Sequence, residues 1–214
     1  MERTAALDRV EAILDTIESE PTPVPVREVW VYGDVALGLD PVDRLDVYVT
    51  KDLHLRGDDD AAAEFRAEHG VDGVGQSVSA EWARAFPEHL RANDTGHAAP
   101  EKCLAAHLLP DDEPIHLEVC NAPFDDNVTR RLQAALDREQ YAQVLDPRGV
   151  QLWADGTRAT ETLEKLRAGE LPFPTLTGAF EMLDVADDTA TEIAEAVRGH
   201  RQGQESATVR GDVV

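Results

Sequence analysis

Lysine is nearly absent from this chain: Lys51, Lys102 and Lys165 are the whole supply, and arginine makes up the rest of the 20 basic residues. Cysteine is scarce as well. Two cysteines exclude a small secreted scaffold held by disulfides and leave Cys103 and Cys120 as reduced, semi-buried thiols. No apolar run approaches the roughly 18 residues of a membrane span. The opening MERTAALDRVEAIL is charged and amphipathic, without the basic segment, apolar stretch and cleavage site of a secretory signal. A cytoplasmic protein is expected. A cationic footprint is also missing, since a net charge of −23 disfavours nonspecific binding to DNA or RNA.

What is abundant is acid. The 43 Asp and Glu residues are spread along the chain rather than gathered in one tail. A surface of this kind stays hydrated in molar salt, where a Debye length of about 3 Å screens the self-repulsion it suffers in dilute buffer. The composition therefore predicts a halophilic protein. With 214 residues and 42% hydrophobic content, the chain suits one domain with a real core and room for a helical appendage.

Apolar periodicity predicts a first helix over 4–20, ended by Pro21, Pro23 and Pro25. Strands are expected at 26–33 (VREVWVYG) and 45–50 (LDVYVT), neighbours because their connection is short. Helices are expected at 59–69, at 79–92 with Ser79 as N-cap, and at 99–108. Residues 115–120 form a third strand between prolines, 126–145 a long amphipathic helix and 149–156 a fourth strand. Helices at 158–168, 176–183 and 187–200 close the chain. The result is an α/β (α+β) fold, a small mixed β-sheet flanked by helices. Its expected division is a domain over 1–155 with its N-terminal helix, a helical C-terminal extension over 156–201 packed on it, and a disordered tail over 202–214.

One stretch carries chemistry. VWVYGDVALGLDPVDRLDVYV, residues 29–49, resembles the signature of the DNA polymerase β-like nucleotidyltransferase superfamily. That signature is an apolar strand, Gly-Gly or Gly-Ser, a loop of about ten residues, and a strand bearing acid-x-acid, with a third acid on a later strand. Residues i and i+2 of a strand share a face, so such carboxylates can hold Mg²⁺ ions that clamp a nucleoside triphosphate. Gly33 matches the family glycine, Asp46 the second acid and Glu118 the third. Two positions depart: Asp34 stands where Gly or Ser belongs, and its charge repels phosphate. Arg44 stands where the first acid belongs, and arginine cannot ligate a cation. As a whole, the chain also resembles haloarchaeal proteins of unknown function.

The departures suggest that Arg44, between carboxylates Asp46 and Glu118, replaces the metal with an ion-pair cluster. The expectation is a non-catalytic binding or regulatory module with Gly33, Asp34, Arg44 and Tyr48 around the site. It would act on a protein partner or on a second copy in a homodimer. The rival is a Mg²⁺-dependent nucleotidyltransferase using Asp46 and Glu118 as metal ligands. There Asp43, brought beside Asp46 by a bulge, or Asp34 serves as the substitute acid. A third reading is a structural α/β protein of unrelated fold.

Other groupings are weaker. Cys103, His107, His116 and Cys120 hold a zinc-like ligand set, but four residues along a strand span roughly 13 Å, too far for one tetrahedral ion. His116, Glu118 and Cys120 share a strand face, but the same distance separates the outer members of that Cys-His-Glu set. Trp30, Trp82 and Trp153 read as core or interface anchors rather than base-stacking platforms. Asp58, Asp59 and Asp60 read as helix-capping acids. His54, His69, His89, His97 and His200 read as isolated and exposed. Ala190, Ile193, Ala194 and Val197 give the last helix a face to dock on the domain or on a second copy.

Overall fold

The computed structural model describes residues 1–20, 22, 24–51, 60, 63, 67, 71–72, 79–80, 100–109, 113–202 and 208–211. The first helix, α1 (Arg3–Ser19), leads into strand β1 (Val26–Tyr32), which pairs antiparallel with β2 (Leu45–Lys51). Two short strands, β3 (Val71–Asp72) and β4 (Ser79–Ala80), pair with each other away from the main sheet. Ser79 therefore starts a strand pair rather than capping a helix; the rest of the helices expected at 59–69 and 79–92 falls largely outside the described residues. After α2 (Pro100–Leu108) come β5 (Ile115–Cys120), α3 (Phe124–Arg138) and the hairpin of β6 (Val150–Ala154) with β7 (Thr157–Arg158). Helices α4 (Thr160–Ala168), α5 (Leu176–Glu181) and α6 (Asp187–Gln202) follow, then β8 (Thr208–Gly211).

The main sheet runs β7-β6-β1-β2-β5-β8. The β2–β5 and β5–β8 pairs are parallel and the others antiparallel, so the sheet is mixed. This is the expected α/β class. Of segment 202–214, expected to be a disordered tail, Gln202 ends α6 and Thr208–Gly211 forms an added strand along β5, where extended backbone pairs with the sheet edge; the rest of the segment lies outside the described residues.

Alternation along each strand assigns two faces. Val29, Val31, Leu45, Val47, Val49, Ile115, Leu117 and Val119 point into one apolar core with α1, α2 and α4. A shift in the β1–β6 register leaves Leu152 without a partner, and this bulge turns consecutive Leu152 and Trp153 into that same core. The other face carries Trp30, Tyr32, Tyr48 and Cys120, wedged around Phe124 at the start of α3. Trp30 stacks on Phe124 with ring centroids 4.9 Å apart, and Tyr48 meets it edge-on at 5.2 Å. The outer side of α3 packs on α5 and α6 through Leu132, Ala135, Phe180, Ala190, Ile193 and Val197. The apolar face of α6 thus docks on its own domain. The C-terminal helices are not one appendage: α4 packs on one face of the sheet, whereas α5 and α6 pack on α3.

Helix α3 is shorter than the expected 126–145. Glu139 takes the left-handed conformation at φ 52°, and the amide of Gln140 turns back to the carbonyl of Ala135. Residues 142–146 then run as a loop over the polar end of the sheet, which brings Asp146 into the site below. Among the described residues, no helix is long and apolar enough to cross a membrane.

Candidate functional site

The polar face is organised by register. Asp46 lies opposite Tyr32 on β1 and His116 on β5, and Tyr48 lies opposite Glu118. Asp46 is wholly buried, at 0% exposure. Arg44, two residues earlier on the same face, places Nε 2.8 Å and Nη2 2.5 Å from Asp46 Oδ1. The other oxygen, Oδ2, accepts a hydrogen bond of 2.8 Å from Arg201 Nη2. Arg201 stands at the end of α6, 155 residues away along the chain. Burial pushes the Asp46 carboxyl above its usual range, and Arg201 and Arg44 pull it part of the way back.

Gly33 explains how Arg201 gets in. Its φ of +68° suits glycine, and a Cβ there would collide with Arg201 Nη2 and Asp46 Oδ2. The missing side chain leaves the space that the guanidinium occupies. Asp34, the next residue, takes a 3.0 Å hydrogen bond from the same Nη2 on Oδ1, and its Oδ2 accepts the Asp43 amide at 3.2 Å. Asp43 itself is exposed, and Leu45–Lys51 runs without a bulge at this end, so Asp43 contributes its backbone and not its carboxylate. No acidic pair forms with Asp46.

Glu118 has separate partners. Its Oε2 accepts from Arg131 Nη2 on α3 at 2.5 Å, and its Oε1 lies 3.0 Å from His116 Nε2 and accepts from the Tyr32 hydroxyl at 3.4 Å. Burial pushes this carboxyl up, but the hydrogen bonds from His116 and Arg131 outweigh it and hold the pKa at about 2. Glu118 is therefore a firm carboxylate. Burial also pushes the Tyr32 hydroxyl well up, with Glu118 and Asp46 adding to the effect, so Tyr32 remains a neutral donor. The expected single bridge of Arg44 between Asp46 and Glu118 is thus two linked groups: Arg44 and Arg201 on Asp46, and Arg131 and His116 on Glu118.

A third group closes the site. Asp146, on the loop after α3, is gripped by Arg148 through Nε at 2.9 Å and Nη2 at 2.8 Å, and lies 3.8 Å from Arg201 Nη1. Four carboxylates (Asp34, Asp46, Glu118 and Asp146) face four guanidiniums (Arg44, Arg131, Arg148 and Arg201). Between the sheet and the loop lies a cavity of about 200 Å³, lined by Tyr32, Arg44, His116, Glu118, Arg131, Asp146, His200 and Arg201 among others.

Tyr48 does not line that cavity. Its hydroxyl donates to the Ala122 carbonyl at 2.7 Å and accepts from Asn127 at 2.9 Å, so it packs beneath α3. The zinc-like set is divided by the sheet. Cys103 is buried in the apolar core with α2, His107 on that helix lies 3.6 Å from Glu20, and His116 and Cys120 stand on the polar face. Among the described residues, no group of three or more His, Cys, Asp or Glu residues is arranged to hold a metal ion. Arg131, Asp146, Arg148 and Arg201 were not anticipated. Of these, only Arg201 had a visible signal, a basic residue in the last turn of a helix, which reads equally well as a response to the helix dipole.

Fold and site together define an α/β protein whose mixed sheet carries an arginine–carboxylate cluster at the start of its two central parallel strands. The chain belongs to a family of unknown function (DUF7095), whose model matches residues 2–214. No curated protein and no solved structure matches it.

Proposed function

We propose that the protein is a non-catalytic binding or regulatory module on a degenerate nucleotidyltransferase-like fold, working in a high-salt cytoplasm. The observation that carries this reading is the occupation of both oxygens of buried Asp46 by guanidiniums. A Mg²⁺ site needs carboxylate lone pairs open to the ion and its waters. Here two fixed positive charges hold those lone pairs, and they repel a divalent cation from the same place. The charge that a catalytic metal would neutralise is neutralised by Arg44 and Arg201. The preserved architecture then serves recognition, of a protein partner or of a second copy in a homodimer. The dispersed acid and the scarcity of lysine support a halophilic setting.

Calorimetric titration of Mg²⁺ with ATP and the other nucleotides into protein in molar KCl tests the reading. Asp46→Asn and Glu118→Gln run alongside, because so acidic a surface collects divalent ions nonspecifically. The expected result is no saturable nucleotide binding that depends on these carboxylates. Saturable binding abolished by both substitutions would instead establish a Mg²⁺-dependent nucleotidyltransferase site and start a search for the acceptor.

A further inference from the structure

The last turn of α6 is held differently from the rest of the helix. Ala190, Ile193, Ala194 and Val197 bury an apolar stripe against α3 and α5. That stripe ends at Val197. Arg198, Gly199 and His200 are exposed, and Arg201 then turns back to the sheet. Glycine is a poor helix former, and a side chain at 199 would meet only open space, so packing does not call for glycine there. The helix is thus weakened just before Arg201.

Arg201 is also the partner that the site's carboxylates can lose without being stranded. Asp46 keeps Arg44 on Oδ1, Asp34 keeps the Asp43 amide on Oδ2, and Asp146 keeps Arg148. Its departure frees Asp46 Oδ2 and Asp34 Oδ1, which both accept from Arg201 Nη2, at 2.8 and 3.0 Å. Beside them is the space that Gly33 leaves by lacking a side chain. Two acceptors at the mouth of a cleft suit one planar guanidinium. Arg201 fills the cleft imperfectly, because its Nε is buried without a hydrogen-bond partner.

We propose that the last turn of α6 is a latch: Arg201 closes this cleft from within the chain, and an arginine of a partner protein takes its place when the turn frays at Gly199. Arg44 stays on Asp46 throughout and continues to repel divalent cations. Both positions are the same exchange of one guanidinium for another, so the charge of the site does not change. The proposal rests on the non-catalytic reading above and names the partner's chemistry, an arginine-bearing segment. Lysine fits less well, since its ammonium is a compact, strongly hydrated point charge without the planar fork.

Two measurements on the full chain in molar KCl test it. Amide hydrogen exchange reads the latch. Residues 198–202 should exchange about tenfold faster than 190–197 in the wild type. Asp46→Asn removes a charge-assisted bond to Arg201 and should widen that ratio by about tenfold or more. Equal protection of the two segments, or a ratio that Asp46→Asn leaves unchanged, overturns the latch. This arm uses no Arg201 variant, so it decides even where removal of Arg201 unfolds the chain. Calorimetric titration of N-acetylarginine amide reads the cleft. Arg201→Ala should bind it one-to-one and at least about tenfold more tightly than the wild type, where Arg201 competes. N-acetyllysine amide should bind that variant more weakly, and adding Asp46→Asn should abolish binding of both. Equal affinity of wild type and Arg201→Ala, binding indifferent to Asp46→Asn, or lysine binding as tight as arginine overturns the proposal. These arms contain no Mg²⁺ or nucleotide, so their failure is distinct from Asp46-dependent binding of Mg²⁺–ATP, which would overturn the non-catalytic reading instead.

Discussion

On one face of β2 and β5 stand Leu45, Val47, Val49, Ile115, Leu117 and Val119; on the other, one residue along in each case, stand Asp46, Tyr48, Thr50, His116, Glu118 and Cys120. Both sets are buried. The first set meets α1, α2 and α4 through dispersion contacts and removal of apolar surface from water, which needs shape and volume but no particular partner. The second set must offset the loss of hydration of two carboxylates, which needs specific donors at specific atoms. Burial alone therefore does not separate core from site in this sheet. The kind of compensation does.

The largest break in the comparison should come from removing one side of a buried charge pair. Arg44→Met leaves Asp46 with a single guanidinium and should destabilise the fold by about 3–5 kcal/mol, read by urea denaturation in molar KCl. Adding Asp46→Leu should recover only part of that loss, because Arg201 then loses its hydrogen bond to Asp46 and keeps Asp34 as its close partner. A double variant as unstable as the single one would show that the pair does more than cancel charge. On the apolar face, Leu117→Ala should cost about 3 kcal/mol through lost contacts and a residual cavity, with no recovery from any charge substitution.

The pH dependence sharpens the contrast further. The folded pKa of Glu118 is lowered to about 2 from the ordinary 4.5. Its contribution is therefore fully present above pH 4.5 and is lost as pH falls toward about 2; it is on the order of 3 kcal/mol. Glu118→Gln should flatten that part of an acid-denaturation profile, whereas Leu117→Ala should shift the profile without changing its shape. The smallest effect belongs at the surface. Arg167 pairs with Asp8 and Glu11 between α4 and α1, where all three side chains are substantially exposed. Arg167→Ala should cost less than about 1 kcal/mol, and the effect should shrink as KCl rises.

Much of this contrast was legible in the sequence. Strict alternation in VREVWVYG, LDVYVT and IHLEVC fixed the strands, and prolines at 21–25, 114 and 123 bounded them. The same alternation put Asp46 and Glu118 on one face and paired Arg44 with Asp46 two residues on. What stayed hidden lies at long separation. Arg201 reaches Asp46 only because α6 docks on α3, and nothing local in GHRQG indicates that meeting. Glu118 takes Arg131 rather than Arg44 because the β2–β5 register sets it opposite Tyr48, two residues beyond Asp46. The end of α3 depended on a left-handed Glu139, a conformation that residue type does not announce. The strand at Thr208–Gly211 was missed because its short polar segment gains order from the edge of β5 rather than from its own pattern.

The most direct test of the arginine-for-metal account is a Mn²⁺ titration in molar KCl, followed by electron paramagnetic resonance, on the wild type and on Asp46→Asn. The account predicts the same weak, unsaturating uptake for both proteins, as expected of an acidic surface. A single tight, saturable Mn²⁺ site in the wild type that disappears in Asp46→Asn would contradict it.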